Sequence, residues 1–153
     1  MNRKTFLKGS TSLFLLTATG FSLKSCSNNV DSNVSDDNIV DSTSPGITVE
    51  DNRIVIALDS TSGELLAEKN GWLLIRDKRV LVLNTDGENI NAFSSVCPHA
   101  FCAVNWTSRN GNFTCTCHGS VFNSKGEVQS GPANQDLSSF QTSVSSTQIE
   151  IIT

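Results

Sequence analysis

Two short loops hold nearly all the residues of this chain that can grip a metal. The first reads Cys97-Pro98-His99-Ala100-Phe101-Cys102, the second Cys115-Thr116-Cys117-His118-Gly119-Ser120. Within 22 positions they contain both histidines and four of the five cysteines. Cys97 and His99 form C-x-H; fifteen residues later Cys115 and His118 form C-x-x-H. Two thiolates and two imidazoles can bind one zinc ion tetrahedrally. They can equally bind a two-iron cluster, with cysteines on one iron and histidines on the other. The plain alternative is a pair of disulfides with incidental histidines, and the ligand spacing of both histidines argues against it.

The elements that must position these loops are short strands. Residues 53–58, 71–76 and 80–84 are apolar and rich in branched side chains. Turn signals separate them: Asp51-Asn52, Asn70-Gly71, Asp77-Lys78 and Asp86-Gly87. Residues 90–96, 112–115, 121–122, 140–144 and 148–152 continue the series, and only 62–69 suits a helical turn. Many short strands at close spacing predict an all-β fold, an antiparallel sandwich or barrel. The domain is expected to span 47–153.

Residues 1–26 read as a targeting segment rather than as part of the fold. A basic start (Arg3, Lys4, Lys8) precedes an apolar stretch, and Lys8 and Lys24 leave only 15 residues between them. A bilayer span needs about 20. Leu23-Lys24-Ser25-Cys26 resembles a bacterial lipobox, which would make Cys26 the acylated first residue of the mature chain. An ordinary cleaved signal and an uncleaved anchor are the alternatives. Arg3-Lys4-Thr5-Phe6-Leu7-Lys8 also resembles a twin-arginine export signal with lysine in the second place. All these readings put the domain outside the cytoplasmic membrane, in the periplasm or on the outer face of the envelope, where disulfides persist. Residues 27–46 hold five Ser, four Asn and four Asp, with no aromatic or basic residue. Such a stretch is expected to be a flexible tether.

The formal charge is −4, yet the leader carries four basic residues and no acid, so the rest of the chain is strongly acidic. Phosphate binding needs a basic face, which argues against nucleic acid as a partner. The second loop and its surroundings are nearly uncharged, as suits a surface that docks on another protein.

The spacing C-x-H-x15-C-x-x-H and the run Cys115-Thr-Cys117-His118-Gly119-Ser120 closely resemble the Rieske family. Gly126-Glu127-Val128 and Gly131-Pro132-Ala133 resemble its third, proline-bearing loop. The resemblance covers roughly residues 47–153. It implies a Rieske-type antiparallel β-sandwich with a small cluster-binding subdomain formed by two loops, and one 2Fe–2S cluster. Cys97 and Cys115 would ligate the inner iron, His99 and His118 the outer iron near the surface. Cys102 and Cys117 would form the disulfide that joins the loops in part of the family. Neutral imidazoles in place of two thiolates leave the oxidised cluster about neutral. Its potential then rises far above that of a four-cysteine cluster, into a range of about −150 to +300 mV. The outer imidazoles can also release a proton when the ferric centre acidifies them.

Position within that range depends on hydrogen bonds around the ligands. Ser120 matches the family serine whose hydroxyl bonds a bridging sulfide. Two residues on, high-potential members have a tyrosine; here that position is Phe122, and the chain has no tyrosine. This predicts a potential below that of a quinol-oxidising respiratory centre. Ala100 and Phe101 stand where members from cytochrome bc complexes have leucine and glycine. The small Ala100 weakens the apolar tip, and Phe101 lacks glycine's backbone freedom, so a different loop path is expected.

The resemblance implies one-electron transfer by a membrane-tethered exported carrier, or by the small subunit of an oxidoreductase, as in arsenite oxidase. Its partner would be a cytochrome or a large oxidoreductase subunit. A quinol-oxidising subunit of a cytochrome bc-type complex is the second reading. A zinc- or disulfide-stabilised binding domain is the third. A terminal oxygenase is set aside, since it needs a mononuclear-iron domain after the Rieske domain. No catalytic pocket is evident in the sequence.

Overall fold

The computed structural model describes residues 36–153, so the leader and Cys26 lie outside the described residues. Twelve strands follow a 3-10 turn at Asp36–Asn38: β1 (Ile39–Val40), β2 (Ile47–Glu50), β3 (Arg53–Ala57), β4 (Trp72–Ile75), β5 (Val80–Asn84), β6 (Ile90–Ser94), β7 (Trp106–Arg109), β8 (Asn112–Cys115), β9 (Ser120–Phe122), β10 (Val128–Ser130), β11 (Ser139–Val144) and β12 (Gln148–Ile152). One helical turn, α1 (Thr61–Glu64), is capped by the Ser60 hydroxyl, which accepts from the Gly63 amide. Among the described residues no helix is long and apolar enough to cross a membrane.

The strands build two sheets. Eight form a curled sheet in the order β1-β4-β5-β6-β11-β12-β3-β2; four form a small sheet in the order β10-β9-β8-β7. The all-β expectation holds, with one addition: the subdomain expected to bind the cluster is a sheet in its own right, not two loops alone.

Burial explains why β4 and β5 read as unbroken apolar runs. Leu73, Ile75, Val80 and Val82 point into the interior of the curl, with Ile54, Ile56, Ile149 and Ile151. Trp72, Leu74, Leu81 and Leu83 point the other way, against Trp106, Phe113 and Phe122 of the small sheet. A strand covered on both faces has no polar side to alternate with. In β3 and β12 burial alternates residue by residue, as in strands with one covered face.

The described fold includes residues before position 47. β1 pairs in parallel with β4, Ile39 opposite Leu74 and Val40 opposite Ile75, and the Arg76 amide donates to the Val40 carbonyl. Asp77 then clips the next residues: the Ser42 amide and hydroxyl donate to its two carboxylate oxygens at 2.8 and 2.5 Å. The C-terminal part of the expected 27–46 tether is therefore part of the fold. Partial burial pushes the Asp77 carboxyl up, but the two bonds from Ser42 outweigh it and hold it below the usual range. A folded pKa below the unfolded one means that the clip contributes fully above the ordinary carboxylate range. It is lost as pH falls through the lowered value. Asp77→Asn is expected to speed amide exchange at Ser42 near neutral pH, with the difference from wild type closing in acid.

Candidate metal centre

Each chemistry-bearing loop is a tight turn closed on its own leading cysteine. In the first, between β6 and β7, the Phe101 amide donates to the Cys97 carbonyl at 2.8 Å. In the second, between β8 and β9, the Gly119 amide donates to the Cys115 carbonyl at 2.9 Å. The residue that closes each turn is left-handed, with φ +58° at Phe101 and +79° at Gly119. Phe101 thus takes the left-handed backbone conformation natural to glycine despite its side chain. A bulky residue held there is strained by roughly 1–3 kcal/mol. Its side chain is 78% exposed.

The subdomain grips the first loop from below. Trp106, opposite Cys115 across the β7–β8 pair, donates from Nε1 to the Ser95 carbonyl at 2.8 Å. The Ser95 hydroxyl donates to the Ala103 carbonyl at 2.6 Å, and the Cys97 amide to the Cys102 carbonyl at 2.9 Å. Sequence reasoning passed over Trp106 and Ser95. A lone indole soon after a C-x-H loop was the only available signal.

The third loop closes the site from the side. Gly131, at φ +93°, lies so near the second loop that a Cβ would come within 2.6 Å of the Gly119 carbonyl oxygen and Ser120 Cα. No side chain fits there. Two residues on, the Ala133 amide donates to Ser120 Oγ at 3.1 Å. Ser120 is fully buried. Its oxygen is engaged as an acceptor, and its proton has no partner among the described residues. Phe122 is also fully buried, with its ring 5.7 Å from that of Trp106.

The four cysteines separate into two kinds. Cys102 and Cys117 form a disulfide that ties the loops together, with Cα atoms 6.7 Å apart. Cys97 and Cys115 are free and buried. Burial pushes the Cys115 thiol up, and its hydrogen bond with Cys97 and the charge of Cys97 add to this; backbone bonds at Cys117 and His118 pull it down. The two histidines are exposed, with rings edge to face and centroids 4.7 Å apart. The Sγ atoms of Cys102, Cys115 and Cys117 lie within 4.8 Å of one another. Two of these three are joined to each other, so the trio is not itself a metal site. It shows how closely the disulfide lies against a free thiol.

A family model of the Rieske [2Fe-2S] domain matches residues 35–141. The chain belongs to the Rieske [2Fe-2S] domain family. The match begins at residue 35, close to where the described fold begins. The chain is 37% identical over 76 residues to the cytochrome b6-f complex iron-sulfur subunit of Gloeobacter violaceus, covering 49% of this chain and 41% of that one. It is 32% identical over 99 residues to the corresponding subunit of Microcystis aeruginosa, covering 62% and 55%. The chain thus spans about half the length of these relatives. Among solved structures it is similar to the plasma membrane Rieske protein PetC3 of Synechocystis PCC 6803: 36% identity, 54% of this chain and 84% of that one, TM-score 0.46. The ferredoxin of carbazole 1,9a-dioxygenase from Nocardioides aromaticivorans shares the fold at 19% identity, 72% and 98% coverage, and TM-score 0.50.

As a Rieske protein the chain carries one 2Fe–2S cluster, and its residues fit that group. The fold consumes two cysteines in a disulfide. It leaves two buried sulfurs side by side and two imidazoles at the surface, the mixed donor set a Rieske centre requires.

Proposed function

We propose that this chain is an exported, membrane-tethered carrier of single electrons, with Cys97 and Cys115 holding one iron and His99 and His118 the other. The observation that carries this reading is the division of the donors: free thiols inside, free imidazoles outside, across one disulfide-tied pair of loops. When bound, the cluster supplies reversible one-electron chemistry. The protein's residues do the rest. Cys97 and Cys115, 2% and 1% exposed, keep water from the sulfur side. The exposed imidazoles bring the site to the surface and offer ring nitrogens from which a proton can leave. Ser120, aimed by the Ala133 amide, keeps a hydroxyl proton free to bond a sulfur acceptor.

An EPR-monitored redox titration of the full chain tests the reading. A reduced-state signal with the low average g of mixed His/Cys ligation is expected. A colourless, EPR-silent protein after reconstitution would hand the site to zinc or to disulfides alone. Phe122→Tyr is expected to raise the midpoint. One added net hydrogen bond of about 1 kcal/mol corresponds to on the order of 40 mV for one electron. An unmoved midpoint would leave Phe122 with a packing role only.

Export and lipidation at Cys26 complete the proposal. The supporting observation is the disulfide, which suits an oxidising compartment. Metabolic labelling with a radioactive fatty acid should mark the wild type and spare Cys26→Ser, which should be released from the membrane fraction.

A second reading, the quinol-oxidising subunit of a cytochrome b-type complex, gains support from Phe101. Its exposed ring, with Val104 44% exposed nearby, restores the apolar tip that Ala100 gives up. The curated relatives are themselves iron-sulfur subunits of cytochrome b6-f complexes. Residues 95–108, 115–124 and 128–135 contain no Asp, Glu, Lys or Arg, so this face is built for an uncharged partner. Phe101→Gly relieves the left-handed strain and should leave the midpoint in place. Turnover with the partner complex should fall; unchanged turnover would remove Phe101 from docking.

A further inference from the structure

We infer that Cys115 is a built-in nucleophile toward the Cys102–Cys117 disulfide, and that a chain without its cluster rearranges to a Cys102–Cys115 disulfide. The geometry is the three-sulfur group, whose Sγ atoms all lie within 4.8 Å of one another, with one free thiol against a formed disulfide. Thiol–disulfide exchange needs only a thiolate close to a disulfide sulfur, and no oxidant. The Cys115 thiolate attacks Cys102 Sγ. A Cys115–Cys102 bond forms, the Cys102–Cys117 bond breaks, and Cys117 leaves as a thiolate. One disulfide and two thiols stand on each side of the step, so the chain is neither oxidised nor reduced.

Several features favour attack on Cys102 over Cys117. Cys115 and Cys117 are separated by one residue at the end of β8, where a bond between them would have to close a very small ring. Cys102 comes from the facing loop, so the new bond still ties the two loops together. The thiol also moves from buried Cys115 to half-buried Cys117, where the departing thiolate is better solvated.

The consequence is a self-sealing site. Rearrangement removes Cys115 from the donor set, so a chain that loses its cluster, or is exported before receiving one, cannot be reloaded until a reductant reopens it. This consequence rests on Cys115 being a ligand, whereas the exchange itself does not.

The test is disulfide mapping of the full chain with and without cluster. The protein is stripped with an iron chelator under argon at mildly alkaline pH, quenched in acid, alkylated, digested and mapped by fragmentation mass spectrometry. The loaded protein should show Cys102–Cys117 with Cys97 and Cys115 alkylated. The stripped protein should show Cys102–Cys115 with Cys97 and Cys117 alkylated, and should take up iron and sulfide again only after thiol reduction. Cys97→Ser, which retains all three exchanging sulfurs, should show the rearranged pair without stripping. Cys115→Ser should keep Cys102–Cys117. Cys102–Cys117 intact with Cys115 alkylated in both the stripped protein and Cys97→Ser would overturn the inference, as would a Cys97–Cys115 pair. Failure of the ligand assignment is a separate outcome, seen as a coloured Cys115→Ser protein.

Discussion

Cys115→Ala is expected to give a folded protein with no visible absorbance and no bound iron. Cys115 ends β8, opposite Trp106, and contributes one of only two free sulfurs in the described fold. The other two cysteines are in the disulfide and cannot replace it without breaking the tie between the loops. The side chain itself is small, and the β7–β8–β9 ladder is held by backbone pairing along its length. The loss should therefore fall on the cluster and not on the strands. Near-wild-type far-ultraviolet dichroism with iron content near zero is the expected pair of results. Substantial iron and colour in this variant would refute the assignment of Cys115 as a ligand.

Removing the disulfide is the second large effect. In Cys102→Ala/Cys117→Ala the cross-link between residues 15 apart disappears. The chain-entropy model puts the loss at about 3 kcal/mol, roughly 10 °C in melting temperature for a domain of this size. More important for the site, the loops would then meet only through backbone bonds such as that from the Thr116 amide to the Asn105 carbonyl, and through Gly131 lying over the second loop. The two imidazoles come from different loops, so their 4.7 Å spacing depends on that tie. The double variant should acquire a cluster but lose it many-fold faster on dilution or mild heating, followed as decay of visible absorbance. Equal loss rates would mean that the disulfide stabilises the domain without holding the donors in place.

The ligand-spaced loops could be read directly, because each packs its donors into a few adjacent positions. The same was true of β5, β8 and β12, whose bounds follow from apolar content and flanking turns. Other elements depend on partners distant in sequence. Ile39 and Val40 sit among Asp, Asn and Ser, and only pairing with β4 makes them a strand. β7 reads Trp-Thr-Ser-Arg, with no alternation to betray it; its pairing with β8 and the burial of Trp106 define it. Phe101 shows a different limit. Local sterics argue against φ +58° at an aromatic residue, yet the bond to Cys97 and the disulfide at its neighbour Cys102 hold it there. The orientation of Ser120 likewise depends on Ala133, thirteen residues away.

The two-residue strand β1 has a consequence for handling the protein. β4 reads Trp-Leu-Leu-Ile, is buried throughout, and lies next to last in the eight-stranded sheet with β1 beyond it. Without β1, this wholly apolar strand would become an open edge. Unpaired amides and carbonyls along such an edge are a template for intermolecular strand addition. Two residues and the Asp77 clip thus act as a guard against self-association. A soluble fragment cut at residue 47, at the boundary that composition suggests, should precipitate or form β-rich aggregates; one cut at residue 36 should remain monomeric.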